Sequence, residues 1–200
     1  MSNINLQCLL GIQCNDFVMI AADQTNSQSI MVMKDDKIFK ISDKLIMGVN
    51  GDSGDTTQFA EYIAKNIQLY KMRNRYELGP SAAASFTRRN LAEALRSNSP
   101  YFVNLLMGGY DKETGPELYF MDYLASSIKV PFACHGFGGY LSMSVMDRYY
   151  KADATEEEAY QILKYCVQEI HKRLFVSLPN FQVTIVNKEG IKTLPPITSR

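Results

Sequence analysis

The order in which strand-like and helix-like patterns succeed one another constrains this chain more than any other feature. It reads strands, two helices, strands, two helices, strand. A doubly wound parallel sheet needs regular alternation of the two, which is absent here. The order fits two antiparallel sheets stacked face to face with a helix pair on each outer side, a four-layer α+β sandwich (αββα). No internal repeat, low-complexity segment or long linker divides the 200 residues, so one domain over 1–200 is expected, large enough to bury its own core.

The individual signals are local. Cys8–Gln13 and Phe17–Ala22 are apolar runs around a turn at Cys14-Asn15-Asp16. Gln24 to Ser29 reads as a polar bend, followed by strands over Ile30–Met33, Lys37–Ile41 and Lys44–Val49. Asn50 to Asp55 supplies turn residues and N-caps for a first helix, whose stripe is Phe59, Tyr62, Ile63, Ile67 and Tyr70. Pro80 suits the first turn of a second helix, running to about Arg96 with Ala84, Leu91 and Leu95 inward. Tyr101–Gly109 and Leu118–Asp122 form a hairpin around a loop at Asp111–Pro116, and Ile128–Ala133 reads as one further extended run. The glycine-rich turn His135 to Gly139 leads to a third helix with Leu141, Val145 and Tyr149 aligned. Thr155 and Glu158 form a capping box for a fourth, with Ala159, Ile162, Leu163, Cys166, Val167 and Ile170 on one face. Phe181–Val186 is a strand, and a short run ends before Pro195-Pro196.

Composition removes several function classes. Twenty-one basic residues balance 21 acidic ones, which gives no argument for nucleic acid or an anionic membrane as partner. Cys8, Cys14, Cys134 and Cys166 contain no CxxC, and only His135 and His171 could join them as ligands. Neither a disulfide framework nor a metal site is expected, nor any cofactor. A reducing compartment is the better fit, with no secretory signal and no apolar run of membrane-spanning length.

Several segments then carry a resemblance that covers essentially the whole chain. They include Ile20-Ala21-Ala22-Asp23, Lys37-Ile38-Phe39-Lys40-Ile41, Gly48-Val49-Asn50-Gly51-Asp52 and Val145 to Tyr150. More specific are Gln58 to Ile63, Tyr70 to Asn74, Phe86 to Ala92 and Tyr119 to Tyr123. In this order and spacing they resemble beta-type subunits of the 20S proteasome, especially those at the fourth beta position. The resemblance implies the sandwich of the N-terminal nucleophile hydrolases. In active members a terminal threonine attacks the peptide, a lysine assists electrostatically, and an aspartate holds the lysine.

Carried across, Asp23 matches the aspartate, Lys37 the lysine, Gly51 the oxyanion-hole N–H, and Asp147 a second aspartate near the site. The Asp23–Lys37 connection is slightly contracted. Gln7 falls at the threonine position, 16 residues before Asp23 and with six residues ahead of it. Phe137 and Tyr150 stand where active members place serines. A glutamine amide offers no nucleophile, so the resemblance implies a vestigial site and a non-catalytic subunit. It also implies partners: beta subunits of the same and the opposite ring, alpha-ring subunits and, indirectly, a regulatory particle. Cytoplasm and nucleus are the implied locations, with work in ATP- and ubiquitin-dependent degradation.

The bland readings are a structural ion pair for Asp23 and Lys37, a hydrogen-bonding role for Asp147, and backbone geometry for Gly51. A ligand-binding module on a retired hydrolase fold is another reading. An alternative enzyme would use Cys8 after a cut before it, although a one-residue displacement turns Cys8 to the other sheet face. A Cys134–His135 couple is disfavoured for the same reason, because adjacent strand residues point opposite ways.

Overall fold

The computed structural model describes residues 7–28, 31–34 and 36–198. Four strands come first: β1 (Leu9–Gln13), β2 (Phe17–Asp23), β3 (Thr25–Gln28) and β4 (Met31–Lys34). Next are β5 (Ile38–Ser42), β6 (Leu45–Gly51) and the helices α1 (Ser53–Asn74) and α2 (Pro80–Leu95). Then follow β7 (Val103–Asp111), β8 (Gly115–Met121), β9 (Ser127–Lys129) and β10 (Phe132–His135). Helices α3 (Phe137–Tyr149) and α4 (Glu156–Arg173) precede β11 (Asn180–Asn187) and β12 (Gly190–Thr198).

Two five-stranded antiparallel sheets result, ordered β10-β1-β2-β11-β12 and β5-β6-β7-β8-β9, with β3-β4 as a separate hairpin. Three apolar layers hold them. One lies between the first sheet and α3 and α4, one between the second sheet and α1 and α2, and one between the sheets. This is the αββα sandwich. Strand β2 shows why its sequence is apolar throughout: Phe17, Met19 and Ala21 face the helices, and Val18, Ile20 and Ala22 face the other sheet. The sheets approach closely where glycines stand: β-carbons on Gly48 and Gly108 would lie 2.6 Å from Leu9 and 2.7 Å from Val18.

Several expectations hold in detail. Asp52 caps α1 through the Gly54 N–H, Pro80 opens α2, and Thr155 and Glu158 form the reciprocal capping box of α4. All six apolar residues assigned to the inner face of α4 are buried.

Others need correction. The polar bend is in part a strand, since β3 pairs with β4 over Thr25–Gln28. The run from Ile128 to Ala133 is two strands in different sheets, β9 beside β8 and β10 beside β1, with the crossing at Val130-Pro131. Strand β12 continues through Pro195-Pro196. As an edge strand it loses little by lacking those N–H groups, and the register shifts opposite them, between Phe181 and Val183. Tyr62 and Leu95 are exposed rather than inward. On α3 the buried face is Gly138, Gly139, Ser142 and Met146, not the aligned Leu141, Val145 and Tyr149. Close seating on β1 selects the small residues: a β-carbon on Gly138 would lie 2.6 Å from Cys8 Sγ.

Candidate functional site

The site forms where the start of the described chain, the end of β2 and the end of β6 meet. Asp23, fully buried, closes β2 and reaches in three directions. Its Oδ1 accepts the Cys8 N–H at 2.7 Å, and its Oδ2 accepts Lys37 Nζ at 2.7 Å and the Thr25 N–H at 3.1 Å. Lys37, also buried, donates as well to the Thr25 carbonyl at 2.9 Å. The pair is thus desolvated and well partnered, the condition under which buried opposite charges persist. The structure brings together Asp23 and Lys37, both singled out in the sequence, as a buried ion pair.

Gly51 ends β6 with φ 148° and is held against β7, where a β-carbon would approach the Phe102 carbonyl oxygen to 2.1 Å. Only glycine fits. Its N–H is not vacant. It donates to Gln7 Oε1 at 2.8 Å, and Gln7 Nε2 donates to the Gly51 carbonyl at 3.2 Å. The glutamine side chain therefore binds both main-chain groups of Gly51, as a neighbouring strand would. Behind it, the Gln7 carbonyl oxygen packs so close to Gly136 that a β-carbon there would overlap it, at 1.7 Å.

The described constellation sets the Gly51 N–H and the buried Asp23–Lys37 pair around the start of the described chain, with the Gln7 side chain seated on Gly51. The Gln7 amide offers no ionisable nucleophile, and its Oε1 takes up the Gly51 N–H. Cys8 does not replace it. Its side chain lies on the opposite sheet face, inside the core layer beneath α3 and α4. Burial pushes its thiol well above the ordinary cysteine range, so the thiolate is suppressed.

Asp147 is not part of the cluster. It is exposed in the last turn of α3, about 15 Å along the helix from Phe137 by the rise per residue. Its place in the Val145 to Tyr150 segment is helical surface, which a motif match alone does not distinguish from a site. Phe137 is half-exposed, and Tyr150 packs on Phe132 at 5.1 Å. The Cys134–His135 couple fails as expected. Cys134 borders the helix-side core, whereas the His135 ring stacks on Phe120 at 4.2 Å on the inter-sheet side.

Two residues near the site have surroundings the sequence did not disclose. His135 is buried, its Nε2 3.1 Å from the Leu105 carbonyl oxygen, and burial pushes its imidazole down to about 4. Asn50 is buried with no hydrogen-bond partner for either amide atom among the described residues. A polar residue ending the apolar run of β6 was the available signal, but next to glycine it reads as a turn. Among the described residues no group of His, Cys, Asp and Glu could hold a metal ion, and no described helix is long and apolar enough to cross a membrane.

The model of the family described as "Proteasome subunit" matches residues 6–186. The chain belongs to the proteasome subunit family. Its similarity is to beta subunits across almost its whole length. It is 44% identical to proteasome subunit beta type-4 of Saccharomyces cerevisiae over 94% of this chain and 96% of that one. Proteasome subunit beta type-2-B of Arabidopsis thaliana is 44% identical, with 94% of each chain covered. Beta type-2 of Oryza sativa subsp. japonica is 42% identical, over 94% of this chain and 89% of that one. Proteasome family membership accounts for the αββα architecture.

Proposed function

We propose that this chain is a non-catalytic beta subunit of the 20S core, completing the inner ring that encloses the proteolytic chamber. The observation that carries the reading is the Gln7 amide seated on both main-chain groups of Gly51, at 2.8 and 3.2 Å. It removes the nucleophile and fills the oxyanion donor in one substitution. The surrounding Asp23–Lys37 pair then serves stability, fixing the Cys8 amide and the Thr25 backbone. In this reading the chain's neighbours are beta subunits of its own and the opposite ring and alpha-ring subunits. A regulatory particle feeds the chamber for ATP- and ubiquitin-dependent degradation without touching this site. Cytoplasm and nucleus are the proposed locations.

The test is to purify particles through a tag on this chain and assay peptide cleavage. The reading expects a large particle with full peptidase activity, and the same activity per particle when Cys8→Ala is incorporated. Recovery of an isolated monomer, or loss of one cleavage specificity in the variant, would contradict it.

A further inference from the structure

The turn between α2 and β7 holds the chain's one serine or threonine followed by proline, Ser99-Pro100. Arg96, Ser97, Asn98 and Ser99 are exposed in succession there, just beyond the last turn of α2. The main chain is tied down on either side. The Ser97 N–H donates to the Ala94 carbonyl at 3.0 Å, and the Phe102 N–H donates to Asp55 Oδ2 at 3.0 Å. Tyr101 packs its ring on Phe59, with centroids 5.1 Å apart. Between these anchors the Ser99 N–H donates to the Ser97 hydroxyl at 3.1 Å, a local contact that a change of backbone conformation gives up at little cost.

The two serines of the turn differ in availability. Ser97 Oγ is engaged twice, donating to the Ala94 carbonyl at 2.7 Å and accepting the Ser99 N–H. Ser99 Oγ makes no hydrogen bond among the described residues. Pro100 adds two constraints. It biases Ser99 away from helical backbone toward extended geometry, the form in which a peptide lies in a protein-kinase groove. It also presents no N–H directly after the hydroxyl, so a groove that buries this position against an apolar wall leaves no donor unpaired.

We infer that Ser99 is a phosphorylation site for a proline-directed serine/threonine kinase that uses ATP. Ser99 Oγ bonds to the γ-phosphorus as the bridging β–γ P–O bond breaks. ADP keeps the electron pair of that bond, and the hydroxyl proton passes to the kinase's carboxylate base. The product places a charge of about −1.5 to −2 at pH 7 beyond the carbonyl end of α2, where the helix dipole repels an anion. Arg96, the C-cap residue of α2, is exposed and takes part in no ion pair among the described residues. Three residues before Ser99, its guanidinium supplies the counter-charge and pairs with the phosphate. The inference depends on this turn alone, not on whether the chain is catalytic or which neighbours it has.

The full chain, a proline-directed kinase and magnesium-ATP test it, with intact mass and peptide mapping as the readout. One phosphate on Ser99 is expected, and none on Ser99→Ala. Ser97→Ala should be modified at the native rate, and Pro100→Ala slower by about tenfold or more, since its N–H would be buried unpaired. Phosphate on a different residue, equal rates for the native and Pro100→Ala chains, or a native chain left unmodified would each overturn the proposal. Phosphorus NMR then follows the titration of the phosphorylated chain beside its Arg96→Gln variant. Pairing with Arg96 lowers the second phosphate pKa below the ordinary value of about 6, and the variant returns it toward that value. Coincident titrations would overturn the role given to Arg96.

Discussion

Asp23 anchors three groups at the end of β2. Its carboxylate holds the Cys8 N–H, the Thr25 N–H and Lys37 Nζ, all within 3.1 Å and out of solvent. Removing only the cation strands a buried carboxylate. Lys37→Met is therefore expected to cost about 3–5 kcal/mol of stability, read from the urea midpoint. Because the two groups share one interaction, Asp23→Asn combined with Lys37→Met should cost less than the two single changes summed. Additive losses would show that the pair contributes nothing as a pair.

His135 gives a pH dependence of definite sign. Its folded value is lowered to about 4 from the ordinary 6.5, so between these the unfolded chain binds the extra proton. Its contribution is present in full above pH 6.5 and is lost as pH falls toward about 4, amounting to about 3 kcal/mol across the window. His135→Phe, which keeps a ring against Phe120, should flatten the melting temperature between pH 7 and 4.5. An unchanged slope would assign the dependence to other groups.

These residues also show what the chain made legible. Asp23, Lys37 and Gly51 could be placed because their spacing matches a known pattern, and the displacement of Cys8 by one residue correctly turned it to the other sheet face. The Gln7 amide's grip on Gly51 could not be read, since it depends on a side-chain conformation across 44 positions. Asp147 was misplaced because a residue type within a matching segment carries no information about which way its helix face points.

At the scale of elements, helix identity follows periodicity while helix orientation follows packing. Helix α4, with a capping box and a full apolar face, needed no correction. Helix α3 did. Its longest apolar side chains suggested one face, yet the face that seats is Gly138, Gly139, Ser142 and Met146, with glycine in the first turn because Cys8 and Cys134 lie too near for anything larger there. Gly138→Ala tests this. Its new methyl would meet Cys8 Sγ at 2.6 Å, Cys8 Cβ at 3.0 Å and Ile170 Cδ1 at 3.1 Å, and should cost about 1–3 kcal/mol by overpacking. Full stability in that variant would show that α3 can shift outward freely. Strands β9 and β10 were read as one run for a related reason: apolar content marks a strand but does not say which sheet it joins.

For the whole molecule, element order was enough to deduce four layers, because two pairs of helices can cover only the outer faces of two sheets. The inter-sheet spacing was not deducible. It depends on Gly48 and Gly108 meeting Leu9 and Val18 across the layer, contacts between strands distant in sequence. The same fold brings Gln7, Asp23, Lys37 and Gly51 to one place, and in the function proposed above they lack a nucleophile. That combination is the central claim, and intact mass measurement of this chain from purified particles tests it most directly. The measurement is made before and after treatment with an electrophile that modifies amino-terminal threonine and cysteine nucleophiles. The account predicts a mass that includes Gln7 and does not change on treatment. A chain beginning at Cys8, or one gaining a single adduct, would contradict it.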